Sequence, residues 1–336
     1  VSQDRCFVEC RLQWIGVKGM AWTYFVVGSG SIGRRHSANL QSLGKIVEHL
    51  AWREFDAEAF SNSLARCSGQ AAVIIATATD VRSELVDICA VHNAPMYIEK
   101  PLAFTQKDVA AIYGIEIGLQ QRSMVGFMMR YHPLTMFLSK FDSCEFFRLQ
   151  FEIGHDVRLW RENWSFSESY AARAEGGGVL LDLCHEIDLA CMICPSLALD
   201  GVKSIGHESF FGVDFASMLS LVSPNGATGT VSMDYLSPVL VRSGSLIGCT
   251  QNVVFDYVDN IATVSSAAGV IEHRFDLERN AMFIDIMRDF TILAEDSAGA
   301  TLPDMPRMDR VRNSCTLIAQ AWEQRKFVGT VEVDLK

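Results

Sequence analysis

The stretch Tyr24-Phe25-Val26-Val27-Gly28-Ser29-Gly30-Ser31-Ile32-Gly33 constrains this chain more than any other. Four apolar or aromatic residues run directly into Gly-x-Gly-x-x-Gly, and a helical pattern follows. That order predicts a buried strand turning tightly onto a helix N-terminus. Glycines at 28, 30 and 33 let the backbone approach a ligand closely. With Ser31 and Ile32 they would turn the first helical N–H groups, and the positive end of the helix dipole, toward a diphosphate. A glycine-rich turn without a ligand would use the same residues, so the surrounding pattern has to decide between them.

That pattern alternates. Residues 34–43 read as a helix with Gly44 as its C-terminal cap, and 46–52 as a second strand. The run 71–76 is short and continuously apolar, as for a strand covered on both faces. A helix over 82–92, a strand at 96–98, a helix capped by Thr105 and a strand over 124–128 follow. The fold class predicted is α/β: an N-terminal, doubly wound parallel Rossmann sheet with its ligand along one strand edge. After about residue 134 the pattern changes. A long strand over 145–153, a helix over 177–192 and several strands between 201 and 275 predict an α+β domain with a largely antiparallel open sheet. Ser223-Pro224-Asn225-Gly226 marks a hairpin turn within it. Helices near 281–294 and 309–325 close the chain. The 336 residues thus divide into 1–20 as an extension outside the fold, 21–130 as the dinucleotide domain, and 131–336 as the substrate and oligomerisation domain.

Hydrophobic residues make up 49% and charged residues 21%, which supports a large core and argues against disorder. The net charge of −11, with no Lys/Arg run, repels polyanions, so neither nucleic acid nor an anionic membrane is expected as a partner. No apolar run is long enough for a bilayer-spanning helix. Asp4, Arg5, Glu9 and Arg11 interrupt the first residues and make a poor signal peptide, so a cytoplasmic protein is expected. The ten cysteines are scattered and read as reduced, mostly buried thiols. Cys184, His185, Cys191 and Cys194 carry zinc-ligand chemistry. However, Cys191 and Cys194 sit in an apolar helical run without a glycine knuckle, so packing is expected and no metal.

Three groups of residues carry chemistry. An acid about 20 residues beyond the glycines binds the ribose of NAD, whereas a cation suits the 2′-phosphate of NADP. Here the strand end reads Ala51-Trp52-Arg53-Glu54. Arg53 favours NADP, with Trp52 as an adenine-facing surface; Glu54 turned inward would favour NAD, and the choice stays open. Glu99-Lys100-Pro101 follows a strand that should end at the ligand edge. A partly buried Lys there can hold a hydroxyl or carbonyl oxygen and take part in proton transfer. Finally, Gly176-Gly177-Gly178 opens a segment in which Asp182, His185 and Asp188 recur at i, i+3 spacing. On one helix they would form a single ionisable stripe.

At these residues the chain resembles the glucose–fructose oxidoreductase/inositol dehydrogenase/rhizopine-catabolism (Gfo/Idh/MocA) family. The resemblance runs over residues 22–334. It rests on the glycine fingerprint, Ala76-Thr77, Glu99-Lys100-Pro101, Gly126 with Arg130 and Pro133, and the Gly-Gly…Asp…His-x-x-Asp segment. It implies a Rossmann domain followed by an α+β domain whose open sheet pairs subunits into a homodimer or homotetramer. It also implies oxidation or reduction of a sugar, polyol or derivative with NAD or NADP. Thr77, Glu99 and Lys100 would face the cofactor, and Arg130 the substrate. Lys100 would contact the reacting hydroxyl, His185 would act as general acid/base, and Asp182 would orient substrate. The chain departs from the family in a three-residue Asp182–His185 step where many members have four. It also has Ala78 and Arg82 where Pro and His are common. The segment from Arg158-Leu159-Trp160 to Tyr170 and Arg173 is similar to a branch linked to bacterial surface-sugar pathways. Arg158 and Arg173 could pair with an anionic substituent there, and Trp160 or Tyr170 could stack on a sugar face. The leading expectation is therefore an NAD(P)-dependent sugar oxidoreductase. The alternatives are a non-catalytic dinucleotide-binding regulator and a family-type enzyme using transient oxidation for elimination or hydrolysis.

Overall fold

A computed structural model describes residues 21–159, 165–296 and 304–334. Its first sheet has five parallel strands: β1 (Thr23–Val27), β2 (Ile46–Leu50), β3 (Ala71–Ile75), β4 (Met96–Ile98) and β5 (Met124–Val125), in the order β2-β1-β3-β4-β5. The register aligns their ends: Val27 pairs with Leu50 and with Ile75, Ile75 with Ile98, and Ile98 with Val125. Gly28, Ala76, Glu99 and Gly126 therefore begin the loops along one edge. The strand order reverses at β1, which opens a crevice between β1 and β3, where doubly wound sheets bind ligands.

The side-chain period of two sorts the sheet's residues between two layers of helix. Phe25, Val27, Val73, Ile75, Met96 and Ile98 face one way. They meet α2 (Ala57–Arg66), α3 (Arg82–Val91) and α4 (Gln106–Ile112), which is followed by the short α5 (Ile117–Gln120). Tyr24, Val26, Ala72, Ile74 and Tyr97 face the other way, toward Leu40 of α1 (Ser31–Ser42) and toward Ile286, Met287, Phe290 and Leu293. These last four belong to a helix near the chain's end, numbered below, so residues beyond 131 also complete the first sheet.

After α6 (Pro133–Leu138) comes β6 (Phe146–Gly154). The helix expected over 177–192 is two shorter ones, α7 (Val179–Asp182) and α8 (His185–Ile193), interrupted at Leu183 and Cys184. Seven strands follow: β7 (Ala198–His207), β8 (Phe210–Val222), β9 (Thr228–Asp234), β10 (Val241–Gly248), β11 (Gln251–Asp256), β12 (Ile261–Ser266) and β13 (Gly269–Arg274). The chain ends with α9 (Arg279–Glu295), which covers the first sheet, then α10 (Arg312–Gln324) and β14 (Lys326–Val331). The second sheet has nine strands in the order β13-β12-β11-β10-β6-β9-β8-β7-β14. It is antiparallel except at β6–β9 and β7–β14. The turn Ser223–Gly226 joins β8 to β9, as its residues predict.

Across this sheet Leu219, Val231, Phe151, Phe255 and Ala262 are buried, on the face where α7, α8 and α10 pack. The opposite row of Ser220, Thr230, Gln150, Ser245, Val254 and Thr263 carries no described helix. No helix among the described residues is long and apolar enough to cross a membrane. Residues 1–20, read as an extension, lie outside the described residues.

A candidate active site between the two sheets

The glycine loop is shaped by close approach. Gly28 has φ of +122°, and a Cβ there would meet the Ala76 carbonyl; a Cβ on Gly33 would meet the Gly28 carbonyl. Gly30 differs, because a Cβ there would have open space around it. Gly30 also N-caps α1, with no side chain occupying the cap. Gly30, Ser31 and Ile32 therefore present a helix N-terminus to a cavity of about 690 Å³. His49 on β2 braces the loop from behind: Nε2 lies 3.0 Å from the Gly28 carbonyl and Nδ1 3.2 Å from Ser37 Oγ. Trp52 stacks on Phe55 and Arg53 is exposed. Both occupy the turn after β2, outside the described lining of this cavity.

Ala76, Thr77, Glu99, Lys100, Pro101 and Gly126 form the sheet wall of the cavity. Glu99 is held on several sides. His36 Nε2, from α1, lies 2.7 Å from its Oε1, Tyr97 Oη donates at 3.3 Å, and the Lys100 N–H donates to Oε2 at 3.2 Å. Burial alone would raise the Glu99 carboxyl, but the His36 hydrogen bond, helped by the charges of Lys100 and Arg82, holds it below its usual range. Arg82, in the first turn of α3, is 3% exposed and donates to the carbonyls of Thr77, Glu99 and Pro101. Burial lowers its guanidinium to about 10, so it remains cationic at neutral pH. Lys100, whose peptide bond to Pro101 is cis, reaches across the cavity to donate from Nζ to the Asp182 carbonyl at 2.6 Å.

That carbonyl lies at the interruption between α7 and α8; in a continuous helix it would serve the N–H four residues on. The Asp182 carboxylate points elsewhere, accepting from Tyr170 Oη and, at 2.9 Å, from Tyr235 Oη. His185 begins α8 with its ring edge-on to Phe127, 6.3 Å between centroids. It lines the cavity, and its Nδ1 is buried with no protein partner. Burial, followed by the charges of Lys100 and Arg242, pushes its pKa well below the ordinary value, so the imidazole is neutral at neutral pH.

The structure brings together Gly30, Ser31, Ile32, Thr77, Glu99, Lys100, Tyr170, Asp182 and His185 around this one cavity. Three other residues are engaged elsewhere. Asp188, on α8 with His185, does not line the cavity: it is fully buried, and Arg130 grips it with Nε at 2.8 Å and Nη2 at 2.6 Å. Arg130 is accordingly a structural partner of α8 and not a cavity residue, because a buried guanidinium takes the nearest carboxylate. Arg158 is taken up by Asp156, two residues earlier, and by the Asp334 carbonyl. Trp160 lies outside the described residues. Sequence reading missed His36, His49 and Tyr235. For His36 the signal was its position three residues after Gly33, on the helix face that must turn toward the sheet.

A dinucleotide fits the donors present: an uncapped helix N-terminus beside the open space at Gly30, and a Thr77 Oγ1 that is buried, cavity-lining and without a protein partner. Among the described residues no group of three His, Cys, Asp or Glu side chains is placed to hold a metal.

Neither protein-family models nor curated proteins match the sequence. Solved structures do match its fold. A UDP-N-acetylglucosamine 3-dehydrogenase from Acidithiobacillus ferrooxidans is 16% identical over 91% of this chain and 98% of that one, with a TM-score of 0.69. A levoglucosan dehydrogenase in complex with NADH and levoglucosan is 17% identical over 90% and 96%, with a TM-score of 0.69. A 3-ketoreductase from Actinomadura kijaniata in complex with NADP and TDP-benzene is 14% identical over 92% and 99%, with a TM-score of 0.72. These neighbours share this chain's fold, in which a five-stranded parallel sheet is followed by a mostly antiparallel one.

Proposed function

We propose that this chain is a nicotinamide-dinucleotide-dependent oxidoreductase acting on a carbinol or carbonyl carbon of a sugar, polyol or sugar-acid derivative. The observation that carries the reading is the meeting of Lys100 Nζ with the Asp182 carbonyl at 2.6 Å. With Lys100 Nζ so held and His185 lining the same cavity, which begins at an open helix N-terminus, the two groups support acid–base chemistry at one site. The activities named for the neighbours, a UDP-N-acetylglucosamine 3-dehydrogenase, a levoglucosan dehydrogenase and a 3-ketoreductase, agree with a sugar-like substrate.

Gly28, Gly30, Ser31, Ile32 and Gly33 would hold the diphosphate, and Thr77 the cofactor nearer its reactive end. When bound, the dinucleotide supplies or accepts the hydride. Lys100 holds the reacting oxygen as a hydrogen-bond donor. His185, kept neutral by burial, accepts or returns the hydroxyl proton at a ring nitrogen. The Asp182 carboxylate, engaged by two phenols, acts as a positioning residue, and Tyr170 offers its ring to the sugar face. Arg53 would favour NADP over NAD. The neighbours include one complex with NADH and one with NADP, so the fold accommodates either. The uncovered face carrying Thr230, Gln150 and Ser245 would pair subunits, a state that sedimentation measures.

Titrating NADPH and NADH while following nicotinamide fluorescence, then screening sugars, sugar acids and nucleotide sugars for turnover, tests the reading. Binding together with turnover of at least one carbinol is expected. Binding without turnover across the panel would favour the non-catalytic regulator, and no binding of either nucleotide would end the proposal.

A further inference from the structure

Arg82 stands where two loops of the site converge. One loop follows β3 and contains Thr77; the other follows β4 and contains Glu99, Lys100 and Pro101. The Arg82 guanidinium donates to the carbonyl of Thr77 at 2.7 Å and to those of Glu99 and Pro101, the residues on either side of Lys100. It is nearly fully buried, and among the described residues no carboxylate lies within ion-pair distance of it. A buried cation is usually held by a carboxylate. Here three main-chain oxygens take that place, and they belong to the segments that carry Thr77 and Lys100.

We infer that Arg82 is a positioning residue that clamps the loop after β3 to the loop after β4 and so fixes where the Lys100 ammonium stands. Five donors in a planar fork suit this task, since one guanidinium can serve several carbonyls in fixed directions. A lysine at 82 has a point charge and cannot reproduce the fork; a methionine fills the space and donates nothing. The inference rests on the role given to Lys100 above only for its kinetic consequence. The geometric consequence, a Lys100 amine held against the Asp182 carbonyl, is independent of any substrate.

The test compares wild type, Arg82→Lys and Arg82→Met in the full chain, with melting temperature as the check on folding. The first readout is acylation of Lys100 by an N-hydroxysuccinimide ester, followed by mass spectrometry relative to Lys45 and Lys203 in the same molecule. Losing the clamp frees the amine, and Lys100 labelling in Arg82→Met should rise about tenfold, the factor that corresponds to ~1.4 kcal/mol. Arg82→Lys should fall between, at about threefold, and it carries the test if the Met variant does not fold. The second readout is steady-state kinetics. A displaced reacting group costs up to about 10²-fold in kcat with KM little changed, because ground-state contacts survive. Labelling at the wild-type rate in both folded variants would overturn the clamp. Raised labelling with unchanged kcat would uphold the clamp and remove Lys100 from the reaction proposed above.

Discussion

On the sheet wall of the cavity, Glu99 answers to His36, Tyr97 and the Lys100 N–H, and Arg82 answers to three carbonyls. On the helix wall, Asp182 is likewise engaged by two phenols, but His185 keeps a buried ring nitrogen with no protein partner. The ionisable groups flanking Lys100 on the sheet wall are thus engaged by protein partners, whereas the helix wall leaves one titratable group with a ring nitrogen unengaged. On the function proposed above, positioning and proton exchange are divided between the walls. The most direct way to break that division is to remove one member from each. Lys100→Met and His185→Ala should each lower kcat by about 10²–10⁴, the usual range for positioned acid–base groups. The double variant should fall little below the worse single one, since groups acting as a unit are not additive. Fluorescence titration should show NADPH affinity nearly unchanged in all three. If His185→Ala turned over normally while Lys100→Met did not, both tasks would lie on the sheet wall.

The two aspartates of the helix wall sharpen the contrast. Asp188 is locked by a buried guanidinium, while Asp182 is bound by neutral hydroxyls at the cavity edge. Removing one partner of a buried ion pair costs about 3–5 kcal/mol, so Arg130→Met should lower the melting temperature markedly and leave nucleotide binding intact in the folded fraction. Asp182→Asn keeps an acceptor for one tyrosine and should cost about 1–2 kcal/mol. A stable Arg130→Met whose only defect is a raised substrate KM would return Arg130 to the substrate site.

Buried neutral imidazoles also make the fold acid-sensitive. His132 caps α6, its Nδ1 accepting from the Leu134 N–H at 3.1 Å. Burial, then the charge of Arg242, lowers its pKa to about 4. Its folded pKa is therefore below the unfolded value near 6.5, so the unfolded chain binds more protons between those limits. The stabilisation is fully present above about pH 6.5 and disappears as pH falls toward 4, amounting to roughly 3 kcal/mol by linkage. Melting curves across that window should show the decline, and His132→Asn, which keeps a capping oxygen without titrating, should flatten it. His185 is depressed for the same first reason, so any acid limb that it imposes on kcat lies well below pH 6.5. A limb near 6.5 that vanished in His185→Ala would contradict the neutral imidazole described above.

What was legible in the sequence follows from how local each cause is. The strand at 23–27, the glycine turn and the Thr105 cap rest on backbone propensity and near neighbours, and they fall where the residues place them. Lys100 and His185 drew notice from Glu-Lys-Pro at a strand end and from the Asp/His/Asp spacing after the glycines, and both line the cavity. The Arg130–Asp188 pair was not legible, because its partners stand 58 residues apart and no spacing rule joins them. Arg158 was misread although Asp156 lay two residues before it, a local pairing that the reading overlooked. The helix break at Leu183 was not legible, nor was the Lys100 contact beside it, which joins residues 82 apart. The helix 57–66 passed unnoticed despite an Asp56 cap and Phe60 and Leu64 on one face, signals as local as those that were read. Helix 279–295 announced itself as a helix, but an apolar stripe does not say which of two sheets it will cover.

The smallest expected effect lies beyond the cavity, in the turn after β2, where the division between positioning and exchange no longer applies. Arg53 follows β2, exposed and outside the cavity's described lining, unlike the enclosed Arg82. Solvent and salt screen such a charge, so its contact with a 2′-phosphate is worth about 1 kcal/mol and not several. Arg53→Ala should accordingly raise KM for NADPH about fivefold, leave KM for NADH and both kcat values near wild type, and lose its effect as ionic strength rises. An equal loss for the two nucleotides would mean that Arg53 supports the turn rather than reads the phosphate. A clear NADH preference in wild type that the substitution leaves untouched would instead assign cofactor choice to Glu54.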